Sequence, residues 1–305
     1  MSNSVIILGA GGRFGRAATH AFIKRDWQVS ILTKPDSAGE QLNETSSVSG
    51  DVYDIHSLTR AINGHDVVIN ALNPPYSDWE RDVPRLTRNV IEASLSCSAT
   101  VMVPGNVYNY GVQMPNRLLE STKHLASTKK GKIRTQMERE YKSAVKKGLR
   151  TIILRGGDFI EQKKTGNWFD TYIINRVKQG IFTYPGSLDC MHAWAFLPDM
   201  AQAMVLLAEK RTELNAFDEF GFESFNITGQ ELMTEVEMTL GKTLKLKTVP
   251  WPMMKLILFF SPTVKEVLEM RYLWDVPHHI DGTKLKKQLP EFRPTRLKSA
   301  LKDLL

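Results

Sequence analysis

Val5-Ile6-Ile7-Leu8 runs straight into Gly9, and glycine recurs at Gly12 and Gly15 before a helix-like segment that ends near Lys24. No other stretch constrains the fold as tightly. A short β-branched, apolar run that stops at glycine reads as a buried strand entering a tight turn. In this strand–turn–helix geometry the backbone can approach a pyrophosphate closely. The amides at the helix start, with the positive end of its dipole, then hold the charge. The spacing is Gly-x-x-Gly-x-x-Gly; the commoner Gly-x-Gly-x-x-Gly fails, because its last position would be Phe14. Gly9, Gly12, Arg13, Phe14 and Gly15 are therefore candidate phosphate-binding residues. A glycine turn that holds no ligand is the plain alternative.

The 305 residues can bury a large core, as one big domain or as a domain with a smaller lobe. Cys97 and Cys190 are the only cysteines, and their spacing suggests neither a disulfide framework nor a metal site. A reducing, cytoplasmic compartment is the expectation. The first strand starts near Val5, which leaves no room for a signal peptide. Residues 251–260 form the longest apolar stretch, but they include Lys255 and are too few to span a bilayer. They read as a helix packed on a second lobe, and no membrane partner is expected. The net charge of +7 favours an anionic partner, which a nucleotide satisfies as well as a nucleic acid does. No nucleic-acid-binding motif accompanies the charge, and the basic residues are spaced as solvated helix faces. Nucleic acid is therefore not expected. His278-His279 has no carboxylate or cysteine at ligand spacing, so no metal is expected either.

Strands and helices alternate through the first half. Strands are predicted at residues 27–33, 47–50, 66–71, 100–103 and 149–154. Between them, helices are predicted from the Asp54 cap to about Asn63, over 80–96 and over 133–147. The run 66–71 is nearly all apolar, as in a parallel sheet buried on both faces. The succession predicts an α/β fold, a doubly wound parallel (Rossmann) sheet with a smaller C-terminal substrate lobe. A dinucleotide would lie across the carboxyl ends of its strands. Residues 1–160, continued by about 186–224, read as the dinucleotide-binding domain, and 161–185 with 225–305 as the lobe. Asp199 is expected to cap a helix through Glu209, and the tail to carry short helices with one short strand at 244–249.

The end of the second strand bears on the choice of cofactor. A site for NAD usually places an acid there to bind the ribose hydroxyls. Here Thr33 and Lys34 occupy that place, and the next acid, Asp36, lies beyond Pro35. Arg13 adds positive charge on the same side. Both cations would attract a ribose 2′-phosphate, so NADP(H) is expected over NAD(H).

Several further segments carry a family resemblance. They are Gly50-Asp51-Val52, Asn70-Ala71-Leu72, Val103-Pro104-Gly105-Asn106-Val107-Tyr108, Leu154-Arg155-Gly156-Gly157-Asp158-Phe159, residues 193–201 and residues 281–285. With the glycine run they resemble the extended or atypical branch of the short-chain dehydrogenase/reductase superfamily, the epimerase/dehydratase-like proteins, across nearly the whole chain. The resemblance implies that Asp51 and Val52 border the adenine. It places Ala71, Leu72 and Asn73 on the ribose and pyrophosphate side, and Pro104, Gly105 and Asn106 at the fifth strand's end beside the cofactor. A homo-oligomer is also common in this superfamily.

One departure bears on the chemistry. Hydride-transferring members usually carry Tyr-x-x-x-Lys, the Tyr as acid/base, yet none of the eight tyrosines here has Lys four residues later. The usual Ser or Thr after the fifth strand is replaced by Pro104-Gly105-Asn106. Lys130, Arg134 and Glu138 instead show the Lys-x-x-x-Arg-x-x-x-Glu spacing of the isoflavone-reductase and NmrA-like relatives, and would share one helix face. Lys130 is thus a candidate acid/base, desolvated beside a nicotinamide, and Tyr108 a second candidate catalytic residue just after the fifth strand. The alternative for Lys130 is a solvated basic face. Tyr76, Trp79, Tyr110, Trp168 and His192 are candidates to line a substrate pocket, or simply to pack.

Three functions remain open on the sequence. They are an NADP-dependent reductase of a small organic substrate, a sugar-nucleotide epimerase or dehydratase, and a non-catalytic NADP-sensing regulator with a protein partner.

Overall fold

The computed structural model describes residues 3–34, 44–163, 165–252, 254, 262–302 and 304–305, with 262–264 as backbone only. Pro35, Asp36 and most of the helix expected over 251–260 lie outside the described residues. Two compact units are formed, each from several stretches of chain.

The first unit comprises Met1–Gly105, Lys132–Arg155 and Met200–Phe220. Its sheet has seven strands, in the order Phe217–Gly221, Thr151–Arg155, Thr100–Gly105, Val67–Asn70, Ser4–Leu8, Gln28–Thr33 and Ser46–Ser49. Pairing is parallel from Thr151–Arg155 across to Ser46–Ser49. The fold is the doubly wound α/β sheet that the alternation predicts. Val5 to Leu8 and Val67 to Ile69 are completely buried, which is why these runs have no polar face. The chain winds outward from Ser4–Leu8 to one edge, then returns to place Val67–Asn70 on its other side. Strand order reverses at that junction, where such sheets open a crevice beyond their carboxyl ends.

Short polar signals set the helix ends. Asp54 accepts a hydrogen bond from the His56 amide at 3.0 Å and starts the helix Ile55–Ile62. The helix expected over 133–147 spans Lys129–Ala144 instead, so Lys130 lies in its first turn. No helix among the described residues is long and apolar enough to cross a membrane.

Inside this unit Arg155 is almost fully buried. Its guanidinium binds Glu138 at 2.7 and 3.2 Å and, through Nε, Glu219 at 2.7 Å. The bidentate geometry offsets the cost of burying the charges, and it ties a helix to the edge strand.

The second unit comprises Asn106–Gly131, Gly156–Asp199 and Gly221–Leu305. A three-stranded sheet orders Phe225–Thr228, Met191–Phe196 and Asp158–Ile160, and two smaller pairs join Lys245–Thr248 to Ile181–Tyr184 and His279–Ile280 to Arg117–Leu118. The tail therefore has more strands than the one expected, because each of its short segments finds a partner far away in sequence. Trp194, Phe169, Tyr184 and Trp274 fill its core. Asp199 does not cap its helix. It sits inside Leu197–Glu209, and its carboxylate accepts from the Thr295 amide at 2.5 Å and hydroxyl at 2.9 Å. A partner from the C-terminal stretch takes the carboxylate that a local cap would have used.

Candidate functional site

At the sheet's switch point Leu8 pairs with Asn70, so Gly9 and Ala71 leave neighbouring strands side by side. Gly9 turns with φ +81°, and a Cβ there would stand 2.7 Å from the Ala71 carbonyl oxygen. A Cβ on Gly15 would stand 2.1 Å from the Gly9 carbonyl oxygen. Only hydrogen fits at either place. The Gly12 amide donates to the Gly9 carbonyl at 2.9 Å and closes the turn. Gly12 is also the N-cap of the helix Arg13–Ile23, and it has no side chain to accept from the first-turn amides. With no acid in that turn, the positive end of the helix is left unneutralised by the helix's own residues. Phe14 and Gly15 are buried and Arg13 is half-buried. A turn held so close to its neighbours that Gly9 and Gly15 have no room for a Cβ, and leading into a helix N-terminus, fits a pyrophosphate.

The neighbouring strand ends bring more of the candidates together. Thr33 pairs with Ser49, and the Gly50 amide donates to the Thr33 carbonyl at 2.9 Å. Lys34 and Asp51, both exposed, thereby follow adjacent strands. The Asp51 carboxylate accepts from the Tyr53 amide at 2.8 Å, and the Val52 carbonyl accepts from Asn89 at 2.9 Å. Leu72 and Asn73 follow Ala71 and border a small recess with Arg134 and Met137. Asn70 is a residue that the sequence reading left out of the site. Its Oδ1 accepts from the Leu72 amide at 3.3 Å, and its Nδ2 donates to the buried Tyr141 hydroxyl at 2.8 Å, which sets the course of this loop. An amide side chain ending an otherwise apolar strand was the available signal. Pro104 and Gly105 end the fifth strand, and a Cβ on Gly105 would stand 2.9 Å from Ile153 Cγ2. Asn106 belongs to the second unit, where its Oδ1 accepts from the Tyr108 amide at 3.1 Å.

Both catalytic candidates also belong to the second unit. The Tyr108 ring is half-buried against a cluster that includes Met270 and Leu273. Lys130 is 1 % exposed rather than solvated. Its Nζ binds Glu269 Oε2 at 2.6 Å, the Glu266 carbonyl at 3.3 Å and the Glu266 carboxylate. Three partners match the three donors of an ammonium. Burial pushes the Glu269 carboxyl up, but hydrogen bonds from the Lys130 side chain and backbone, with its charge, outweigh that and hold it below the ordinary range. Arg134 lies in the first unit over the Trp79 ring, 4.9 Å from its centroid.

A second polar centre lies in the same unit. His192 Nε2 is 3.0 Å from Asp158 Oδ2, and its ring stacks on Trp274 at 4.3 Å with 1° between planes. His278 lies 4.8 Å away, ring to ring, and its Nδ1 donates to the Val276 carbonyl at 2.9 Å. Burial, then the neighbouring His192, pushes His278 down to about 3 from 6.5. The native state therefore excludes a proton that the unfolded chain takes up below pH 6.5. Stability is unaffected above that value and declines as pH falls toward 3. At about 1.4 kcal/mol per pH unit, roughly 2–3 kcal/mol should be gone by pH 4.5. His278→Asn keeps a donor for Val276 and should flatten this acid limb. Urea unfolding at pH 7 and pH 4.5 measures it, and an unchanged limb would refute the assignment to His278.

The NAD(P)H-binding family matches residues 9–172, a span that starts at the first glycine of the turn. No curated protein sequence matches the chain. Among solved structures, UDP-N-acetylglucosamine 4-epimerase from Bacillus cereus is similar, with a TM-score of 0.78 and 15 % identity over 99 % of this chain and 98 % of that one. A nucleoside-diphosphate-sugar epimerase from Pseudomonas aeruginosa gives 0.75 and 15 % over 100 % and 97 %. UDP-glucose 4-epimerase from Brucella ovis, solved in complex with NAD, gives 0.74 and 16 % over 99 % and 96 %. At such identities the similarity concerns the fold alone. The family match covers more than half of the 305 residues and includes the glycine cradle, so the chain belongs to the NAD(P)H-binding family, on the fold of the extended short-chain dehydrogenase/reductases.

Proposed function

We propose that this protein is an NADP(H)-dependent oxidoreductase, a reductase of a small organic substrate taken by the second unit. One observation carries the reading. The Gly9–Gly15 cradle opens at the strand-order reversal, and the second strand ends in Thr33-Lys34 with no acid. The first-turn amides hold the pyrophosphate, while Lys34 and Arg13 favour a 2′-phosphate that an acid would repel. When bound, the dinucleotide supplies or accepts a hydride. Ala71, Leu72 and Asn73 bound the ribose and pyrophosphate side, Asp51 and Val52 the adenine. Lys130 acts in this reading by positioning Glu266 and Glu269, since its own donors are taken by them.

Dissociation constants for NADPH and NADH, read from nicotinamide fluorescence, test the reading. NADPH should bind about tenfold tighter or more, the worth of a charge-assisted phosphate contact. Lys34→Asp should erase or invert the preference. Tighter binding of NADH to the unsubstituted protein would overturn it.

A sugar-nucleotide epimerase is the second reading, favoured by a fold similarity that spans nearly the full length of named epimerases. The absent Tyr-x-x-x-Lys opposes it. Binding of UDP-glucose to the NADPH-loaded protein would support it, and failure to bind would count against it.

A further inference from the structure

A hollow of about 300 Å³ lies against residues 282–294, and every residue lining it belongs to the second unit. At the ~30 Å³ that a water takes in the liquid, it has room for about ten heavy atoms. Gly282, Leu285, Lys286 and Leu289 stand at i, i+3, i+4 and i+7 of the short helix Thr283–Gln288 and its caps, so they share the face that borders it. A turn closed by the Phe292 amide on the Leu289 carbonyl, at 3.0 Å, then brings Pro290, Phe292 and Pro294 to the same hollow. Leucine, proline and phenylalanine thus make up five of the nine lining residues, a surface that gains by excluding water. The segment is also tied at both ends. Asp281 Oδ1 accepts from the Thr283 amide at 2.9 Å while its Oδ2 holds Arg117, and Asp199 holds the Thr295 amide. Between these ties Pro290 and Pro294 have a fixed φ. A preorganised hollow spares a ligand much of the ordering cost of binding.

Charge selects among apolar ligands. Three lining residues are ionised, Glu223, Lys286 and Arg293. Glu223 Oε2 accepts from the Lys286 ammonium at 2.8 Å and from the Gly282 amide at 3.1 Å, so acid and ammonium match one another. Arg293 is matched only by carbonyls. Its Nη1 donates to Pro290 and Phe292, and among the described residues no carboxylate pairs with it. A guanidinium has five N–H groups, so Nε–H and both Nη2 hydrogens remain to donate. The surrounding sequence is strongly basic as well. Residues 284–305 carry seven Lys or Arg against two Asp or Glu, so five of the chain's seven net positive charges fall in these 22 residues.

We propose that this hollow is a binding site for a small organic acid with an apolar body of about ten heavy atoms. The body lies against Leu285, Leu289 and Phe292, and the carboxylate takes a charge-assisted hydrogen bond from Arg293. An amine would meet Arg293 and its basic surroundings and is disfavoured. An alcohol would fill the hollow but leave the guanidinium without an anion. The site goes beyond the proposed function and does not depend on it, since no lining residue belongs to the Gly9–Gly15 cradle.

Calorimetric titration of the full chain with octanoate, 1-octanol, octylamine and butanoate tests it, with NADPH affinity measured on the same preparations. Octanoate should bind at least about tenfold tighter than octanol, and octylamine weakest of the three. Butanoate carries the same charge on a shorter body and should bind about a hundredfold more weakly than octanoate, at roughly fourfold for each buried CH₂. Arg293→Gln should cost octanoate about tenfold while octanol and NADPH bind as before, and Arg293→Lys should recover part of the loss. Equal affinity for octanol and octanoate, equal affinity for butanoate and octanoate, or indifference to Arg293→Gln would each overturn the site. So would failure of octanoate to bind, whether an acidic peptide with a central tryptophan or a second copy of the chain takes the hollow instead. Absent NADPH binding with octanoate binding intact would sink the oxidoreductase reading and leave this site standing.

Discussion

Gly15→Ala should lower NADPH affinity by at least about a hundredfold and destabilise the fold by roughly 2–4 kcal/mol, the range of severe overpacking. The added Cβ would meet the Gly9 carbonyl oxygen at 2.1 Å, with Gly9 C and Ala10 Cα both at 2.8 Å. All three are backbone atoms, so no side chain can swing away. The helix must withdraw from the strand or the turn must open. Either movement displaces the first-turn amides from a pyrophosphate. Gly11→Ala supplies the control, because a Cβ there has no neighbour within 4 Å, and its unfolding free energy should stay within about 0.5 kcal/mol of the parent. Nicotinamide fluorescence and urea unfolding measure both quantities. Gly15→Ala with unchanged affinity and stability would show that the helix does not pack on the turn as closely as the geometry requires.

Lys130→Met should cost about 2–4 kcal/mol of stability, and this effect separates two roles for the residue. A general base can be removed at the expense of turnover while the fold keeps its strength. A buried counter-ion cannot, because Glu266 and Glu269 would be left with their charges uncompensated. The lower end of the range allows for solvent screening, as both carboxylates are about one-fifth exposed. The acid limb should move as well. The Glu269 carboxyl is held below its ordinary 4.5, so its contribution to stability is present above that value and is lost as pH falls through the lower native value. Without the Lys130 ammonium only the backbone amides of residues 129 and 130 still oppose the burial of Glu269, and the loss should begin at higher pH. Glu266→Gln combined with Glu269→Gln should recover part of the stability of Lys130→Met, since no carboxylate then remains to be neutralised. Full stability in Lys130→Met with turnover lost would return Lys130 to the acid/base role.

What the sequence determined by itself is local. The apolar run into Gly9, the Gly-x-x-Gly-x-x-Gly spacing, the cap at Asp54 and the alternation up to Arg155 each depend on residues a few positions apart. Strand and helix periodicities report such neighbours directly, so the doubly wound sheet was legible. The missing Tyr-x-x-x-Lys was equally plain. The tertiary structure decided everything that depends on distant partners. Lys130 meets Glu269 across 139 positions, and nothing in Lys130-Gly131-Lys132 distinguishes a buried ion pair from a solvated basic face. Asp199 looked like a cap until Thr295, 96 residues on, took its carboxylate. The tail strands Phe225–Thr228 and His279–Ile280, unlike the one expected at 244–249, carry too little periodicity to declare themselves, and they exist because distant segments pair with them. His192 and His278 likewise found Asp158 and Val276 as partners only in the folded chain, the first of them 34 positions away. Local propensity is written residue by residue, whereas burial and pairing arise when the chain closes on itself. Charge and hydrogen-bonding at a site are set by that closure.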